Sequence, residues 1–198
     1  MTILAIFGLK RAGKDTLAHV ISQKLTDSGR TFEFVAFADA LREVCSIAFG
    51  IPIQNFVADE LKDVPHDSLP NRMTPRDALI LVGTELFRKQ VASDIWVRAA
   101  VARIQRSTAD FVIVTDVRFE NELRALKDNF DTRTFLVVRD SVSVDPDGDM
   151  HETERFAAIN SAAVQRRCAR SVFPFDYIFF NNDTLSKLAN TVSTAFVV

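Results

Sequence analysis

Cysteine is nearly absent: the 198 residues hold two, Cys45 and Cys168, in no CxxC or CxxH pattern. That argues against a disulfide framework and a cysteine-built zinc site, and fits reduced thiols. No apolar run approaches the roughly 20 residues of a membrane helix. A surplus of one charge is also missing, since the formal net charge is −2. No broad attraction to nucleic acid or to an anionic membrane is therefore expected; a small anionic ligand needs only a local basic pocket. There is no internal repeat and no low-complexity segment. The opening residues MTILAIFGLK carry no basic leader and too short an apolar stretch for a signal peptide, so a cytoplasmic location is expected.

What is present is ordinary for a globular chain, 47% hydrophobic and 25% charged residues. The length suits one α/β domain over residues 1–198. The stretches TILAIF (2–7), TFEFVAFA (31–38), FVIVTDV (111–117), TFLVVR (134–139) and DYIFFNN (176–182) read as strands. Helical patterns alternate with them. Residues 14–25 place Leu17, Val20, Ile21 and Leu25 on one face, and Gly29 follows as a stop. Helices are also expected over 41–49 before Gly50, from Pro75 to Val91 with Thr74 as N-cap, and over 94–104, 120–128 and 184–196. Residues 51–74 are polar, carry Pro52, Pro65 and Pro70, and read as a loop. Near-continuous apolar strands separated by helices indicate a five-stranded parallel sheet covered on both faces, with right-handed crossovers. Such sheets bind ligands at the carboxyl ends of their strands.

At the first of those ends stands IFGLKRAGKDT, residues 6–16, in which Gly8, Gly13 and Lys14 satisfy G-x-x-x-x-G-K. Glycines let a backbone turn tightly and aim its N–H groups at phosphate oxygens, and the following helix adds its positive end. Arg11 and Ala12 lie inside the loop, and Lys14 would neutralise the outer phosphates of a nucleoside triphosphate. The bare pattern is weak; its position between a buried strand and an amphipathic helix makes it strong. Asp15 occupies the slot where a hydroxyl commonly binds Mg²⁺. A carboxylate is also a hard oxygen ligand, and Thr16 next to it offers a hydroxyl. The alternative for Asp15 is simply a favourable charge at a helix N-terminus.

Four later stretches extend the match. They are PRDALILVGTELFRKQVASDIWV (75–97), VTDVRFENE (114–122), HETE (151–154) and FFNND (179–183). With GLKRAGKDT they resemble, in order, the bacteriophage-type deoxynucleoside monophosphate kinases. The resemblance implies a three-layer P-loop kinase fold with a lid at approximately 140–175 and an acceptor-binding region at approximately 38–100. It implies ATP and Mg²⁺, a deoxynucleoside monophosphate as acceptor, a homodimer, and host cytoplasm if the gene is a phage's. Neither nucleic acid nor membrane is an expected partner.

Roles follow residue by residue. Gly8, Arg11, Ala12, Gly13, Lys14, Asp15 and Thr16 would hold ATP. Arg166, Arg167 and Arg170 would close over its phosphates, unless they form a solvated basic face. Asp116 and Arg118 follow a buried strand at the ligand edge; Asp116 could orient Mg²⁺ or accept a proton, and Arg118 could grip a phosphate bidentately. An internal Asp–Arg pair is the bland alternative. Lys10, Asp39, Arg42, Arg76, Trp96 and Glu122, with Asp116 and Arg118, would face the monophosphate. For Trp96 a core position competes with a place beside the nucleobase; for Arg76, an exposed first helical turn. Asp15, Thr16 and Asp116 are the metal candidates, and Lys14, Arg76, Asp116 and Arg118 the catalytic ones. His151 and Glu154 lack a third ligand for zinc and read as lid or hinge residues. Rival readings are a P-loop kinase for dephospho-coenzyme A or a mevalonate phosphate, and a protein that binds nucleotide without turnover. A guanine-specific switch would want N-K-x-D where NNDT stands.

Overall fold

The computed structural model describes residues 1–142, 152–165 and 175–195. In chain order its elements are β1 (Thr2–Gly8), α1 (Lys14–Asp27), β2 (Phe32–Phe34), α2 (Asp39–Phe49), α3 (Gln54–Val57) and α4 (Asp59–Lys62). A 3₁₀ turn (Pro70–Arg72), α5 (Pro75–Ile80), a π-helical continuation (Leu81–Arg88) and α6 (Ile95–Ile104) follow. The chain ends with β3 (Phe111–Val114), α7 (Glu120–Asn129), β4 (Asp131–Val138), α8 (Glu152–Gln165), β5 (Tyr177–Phe180) and α9 (Leu185–Ala195). They form two compact units, Met1–Ala36 with Ile104–Val198, and Phe37–Arg103.

The first unit is built on a five-stranded sheet of order β2-β3-β1-β4-β5, every pair parallel. β1 is central because Ile3, Leu4, Ala5, Ile6 and Phe7 are apolar without a break, and each is 0% exposed. Side chains alternate between the faces of a strand, so burial of all five means that both faces are covered. α1, α7 and α8 pack on β1, giving helix, sheet and helix layers. Because the strands are parallel, the loops leaving β1, β3, β4 and β5 emerge at one edge.

The opposite edge is fastened by threonine–aspartate pairs. Thr31 donates from N and Oγ1 to the Asp110 carboxylate at 2.9 and 3.0 Å, and Asp110 N donates back to Thr31 Oγ1 at 2.9 Å. Thr134 and Asp176 repeat the arrangement between β4 and the start of β5, at 2.7, 2.6 and 3.0 Å. Thr2 Oγ1 donates to Asp131 at 2.7 Å where β1 and β4 begin.

Several strands are shorter than expected. β2 covers only 32–34 and β3 ends at Val114, so Asp116 and Arg118 sit on an irregular loop after the strand. β4 instead begins early, at Asp131, although its first three residues are polar. The helix α8 has no counterpart among the expected elements. Its buried residues include Ala157, Ala158, Asn160 and Ser161, small or polar groups that give little apolar period.

In the unit Phe37–Arg103 the correction is larger. Residues 51–74 are not a plain loop: they form α3, α4 and the 3₁₀ turn, and they send Ile51, Phe56 and Leu69 into a core with Cys45, Ala78 and Val82. Its helices α3 and α4 are four residues each, with Ala58 extended between them, too short to show helical periodicity. Cys45 is free, and burial pushes its thiol up to about 11, so it is inert at neutral pH. α5 starts as expected, with Pro75 first and Thr74 as N-cap; Asp77 N donates to Thr74 Oγ1 at 3.1 Å and Thr74 N to Asp77 Oδ2 at 2.9 Å. Among the described residues no helix is long and apolar enough to cross a membrane.

Candidate active site

The loop between β1 and α1 occupies the carboxyl edge of the sheet. Gly8 ends β1 with φ 152°, and a Cβ there would lie 2.5 Å from the Val137 carbonyl oxygen of β4. Only glycine lets the strands close at that point. The chain then turns, with Ala12 N donating to the Leu9 carbonyl at 3.1 Å. Arg11 takes a left-handed φ of 66°, which is uncommon for a residue with a side chain. Gly13 follows at φ 101° and opens α1.

Lys14 folds back over this turn. Its Nζ donates to the Gly8 and Leu9 carbonyls, both at 3.0 Å, so the ammonium lies across the loop. Lys10, Arg11, Asp15 and Thr16 are exposed and Ala12 is buried. Asp15 and Thr16 stand in the first turn of α1, directly after Lys14. Asp15 and Thr16, like Asp116 after β3, offer oxygen, the ligand type that a hard cation takes. No cluster of three or more His, Cys, Asp or Glu able to hold a metal occurs among the described residues. Mg²⁺ needs none, since it takes few protein ligands and fills its shell with water and phosphate.

The loop after β3 is held from below. Glu122 is 2% exposed, and its Oε2 accepts from Arg118 N at 2.7 Å and Phe119 N at 3.1 Å. The buried carboxylate thus caps α7 and fixes the backbone from which the exposed Arg118 side chain leaves. Glu122, a candidate for the monophosphate, is thus buried with its carboxylate on two backbone N–H groups. Asp116 is half-buried on the same loop.

A residue missing from the expected set lies after β5. Asn181 N donates to the Val138 carbonyl at 2.8 Å, and its Nδ2 donates to the Ala12 carbonyl at 2.9 Å, inside the phosphate loop. Its neighbour Asn182 pairs with Asp140, by Nδ2 to Oδ2 and by Oδ1 from the Asp140 N–H, both at 2.8 Å. The available signal was positional: a polar turn directly after a buried parallel strand belongs to the ligand edge.

Within Phe37–Arg103, Arg76 stands in the first turn of α5 and is held by Asp63, Nε to Oδ1 at 2.5 Å and Nη2 to Oδ2 at 3.1 Å. The hydrogen bonds it donates to Asp63 push the pKa of the guanidinium further up than usual. Asp39 and Arg42 pair with each other on α2 at 3.1 Å. Arg103 lies 3.5 Å from Asp39 and 2.5 Å from Glu43. Trp96 is 5% exposed, donates from Nε1 to the Gly83 carbonyl at 3.0 Å, and packs on Phe87 at 5.2 Å between ring centroids. Its indole is a buried strut for the π-helical turn, the core position that competed with a place beside a nucleobase. His151, Arg166, Arg167 and Arg170, and the side chain of Glu154, lie outside the described residues.

Comparison with known proteins agrees with the loop. No family model matches the chain. A protein of Acanthamoeba polyphaga mimivirus named "Putative deoxynucleotide monophosphate kinase" is 25% identical over 207 residues, covering 97% of this chain and 94% of that protein. The "Deoxynucleoside-5'-monophosphate kinase" of Escherichia phage T5 is 41% identical over 56 residues, 28% of this chain and 22% of that one. Solved structures with some likeness include the shikimate kinase of Aquifex aeolicus (TM-score 0.43, 13% identity, 98% and 95% of the two chains). The Mycobacterium tuberculosis APS kinase, solved with AMPPNP and APS, is another (TM-score 0.45, 12% identity, 98% and 96%). Over nearly its whole length in the first viral case, and over about a quarter in the second, the chain resembles the deoxynucleoside monophosphate kinases.

Proposed function

We propose that the protein transfers the γ-phosphoryl group of ATP to a deoxynucleoside 5′-monophosphate, giving a deoxynucleoside diphosphate and ADP. One observation carries this reading: the Gly8–Thr16 loop joins a fully buried parallel strand to a helix, with Lys14 folded over it. The near full-length match to a protein named for that class of kinase supports the acceptor.

The protein's part is positioning and charge. The loop amides and the N-terminal end of α1 receive the triphosphate, and Lys14 moves from the Gly8 and Leu9 carbonyls to the outer phosphate oxygens. Arg118, on a backbone fixed by Glu122, meets the transferring phosphoryl, and Asp116 orients the attacking group. On the other unit, Arg76, Asp39 and Arg42 are the candidates for the acceptor. Asp15, Thr16 and Asp116 would hold Mg²⁺, which neutralises phosphate charge when bound.

A coupled ADP-release assay across the deoxy- and ribonucleoside monophosphates tests this, with dephospho-coenzyme A and a mevalonate phosphate as rival acceptors. ADP release with at least one deoxynucleoside monophosphate is expected, reduced about a hundredfold or more by Lys14→Ala or Arg118→Ala. Release with a rival acceptor alone would overturn the reading.

A further inference from the structure

Asn181 does more than end β5. The Nδ2 atom that donates to the Ala12 carbonyl lies 2.0 Å from where a Cβ on residue 13 would stand. Gly13 is therefore bare because Asn181 fills the space of its missing side chain. The brace is anchored at its own base, where Asn181 N donates to the β4 carbonyl of Val138 at 2.8 Å. A rigid strand end thus reaches across 169 residues of sequence to one peptide group of the loop.

That peptide group matters for its orientation. The Ala12–Gly13 peptide is trans, as are all others described. In a trans peptide the C=O and the N–H point opposite ways. Pinning the Ala12 carbonyl to Asn181 aims the Gly13 N–H away from Asn181 and stops the peptide from flipping. Without the brace, a loop holding Arg11 and Gly13 at positive φ can relax with the Gly13 N–H turned elsewhere, and a carbonyl oxygen facing an anion repels it.

We infer that Asn181 is a positioning residue that preorganises the Gly13 amide for a triphosphate. It touches no substrate; it acts through the backbone. This rests on the phosphate-loop reading given under "Proposed function".

The test uses the full chain and two probes, MgATP and inorganic tripolyphosphate, with affinities measured by calorimetry. Asn181→Ala removes the donor, and Asn181→Asp keeps the shape but sets a charged acceptor against the Ala12 carbonyl. Both are expected to weaken both probes about tenfold or more. KM for ATP should rise likewise, while KM for the monophosphate stays within about twofold. Asn182→Ala, which removes the bonds to Asp140 on the same turn, should leave ATP affinity unchanged. The inference is overturned if wild type binds both probes and the Asn181 variants match it within about twofold. It is overturned equally if Asn182→Ala weakens ATP as much, or if KM for both substrates and the melting temperature shift together, because turn integrity is then the cause. If wild type binds neither probe, the phosphate-loop reading falls and takes the inference with it.

Discussion

The Asp63 carboxylate holds the Arg76 guanidinium by two hydrogen bonds, Nε to Oδ1 and Nη2 to Oδ2. This is the fork geometry with which arginine also meets a phosphate. If Arg76 binds the acceptor's phosphate, that phosphate must displace Asp63. The pair is exposed, with 41% and 64% of the two side chains accessible, and exposed pairs are worth about 0–1 kcal/mol. Asp63→Asn should then lower KM for the monophosphate by roughly twofold to fivefold, while Arg76→Ala raises it. Steady-state kinetics with ATP saturating checks both. An unchanged KM in both variants would remove Arg76 from the acceptor's ligands.

Trp96 separates packing from recognition. The indole is buried and its N–H is committed to the Gly83 carbonyl. Trp96→Phe leaves that carbonyl without its donor, at a cost of about 1–3 kcal/mol. Urea unfolding followed by circular dichroism should show the loss, while KM for the monophosphate stays within about twofold. A large KM change at unaltered stability would return the residue to the nucleobase.

The clasp between Thr134 and Asp176 makes stability depend on pH in a stated direction. Burial pushes the Asp176 carboxyl up, but the bonds from Thr134 and the charge of Lys127, 3.7 Å away, outweigh it and hold the group below its ordinary range. A group depressed in the folded state adds stability above the unfolded value of about 3.9 and loses it as pH falls through the folded value. Thr134→Val should cost about 1 kcal/mol at pH 7. The gap from wild type should narrow as pH drops below about 4. Urea titrations across that range measure it, and a gap that widens in acid would contradict the assignment.

How much of this was legible beforehand depended on locality. The run Thr2–Phe7 and the amphipathic face of α1 carry their own periodicity, so the sheet's centre and the phosphate loop could be read directly. Residues 51–74 could not: the helices there, α3 and α4, are four residues each, about one turn, and Phe56 is a core residue only because α2 and α5 pack around it. The site shows the same division. Gly8, Gly13 and Lys14 announce themselves by spacing. The partners of Glu122 and Asn181 are backbone groups brought near by the fold, and residue type gives no sign of them. Trp96 carried two readings that sequence could not separate, because burial is a property of the packed unit.

Gly13 itself supplies the sharpest test of the packed loop. A methyl group there meets the Asn181 amide at 2.0 Å, and the backbone sits at φ 101°, where side chains are strained. Two separate penalties therefore oppose Gly13→Ala. The clash belongs to Asn181 and the strain to the backbone, about 1–3 kcal/mol for such a conformation. Gly13→Ala should lower the melting temperature and reduce ATP turnover about a hundredfold or more. Adding Asn181→Ala removes the clash, so part of the lost stability should return. Turnover should not return with it, because the brace on the Ala12 carbonyl is gone as well. Melting curves and ADP release on the two single variants and the double variant form a complete cycle. Recovery of turnover alongside stability would show that the loop needs only room at position 13, not the amide that fills it.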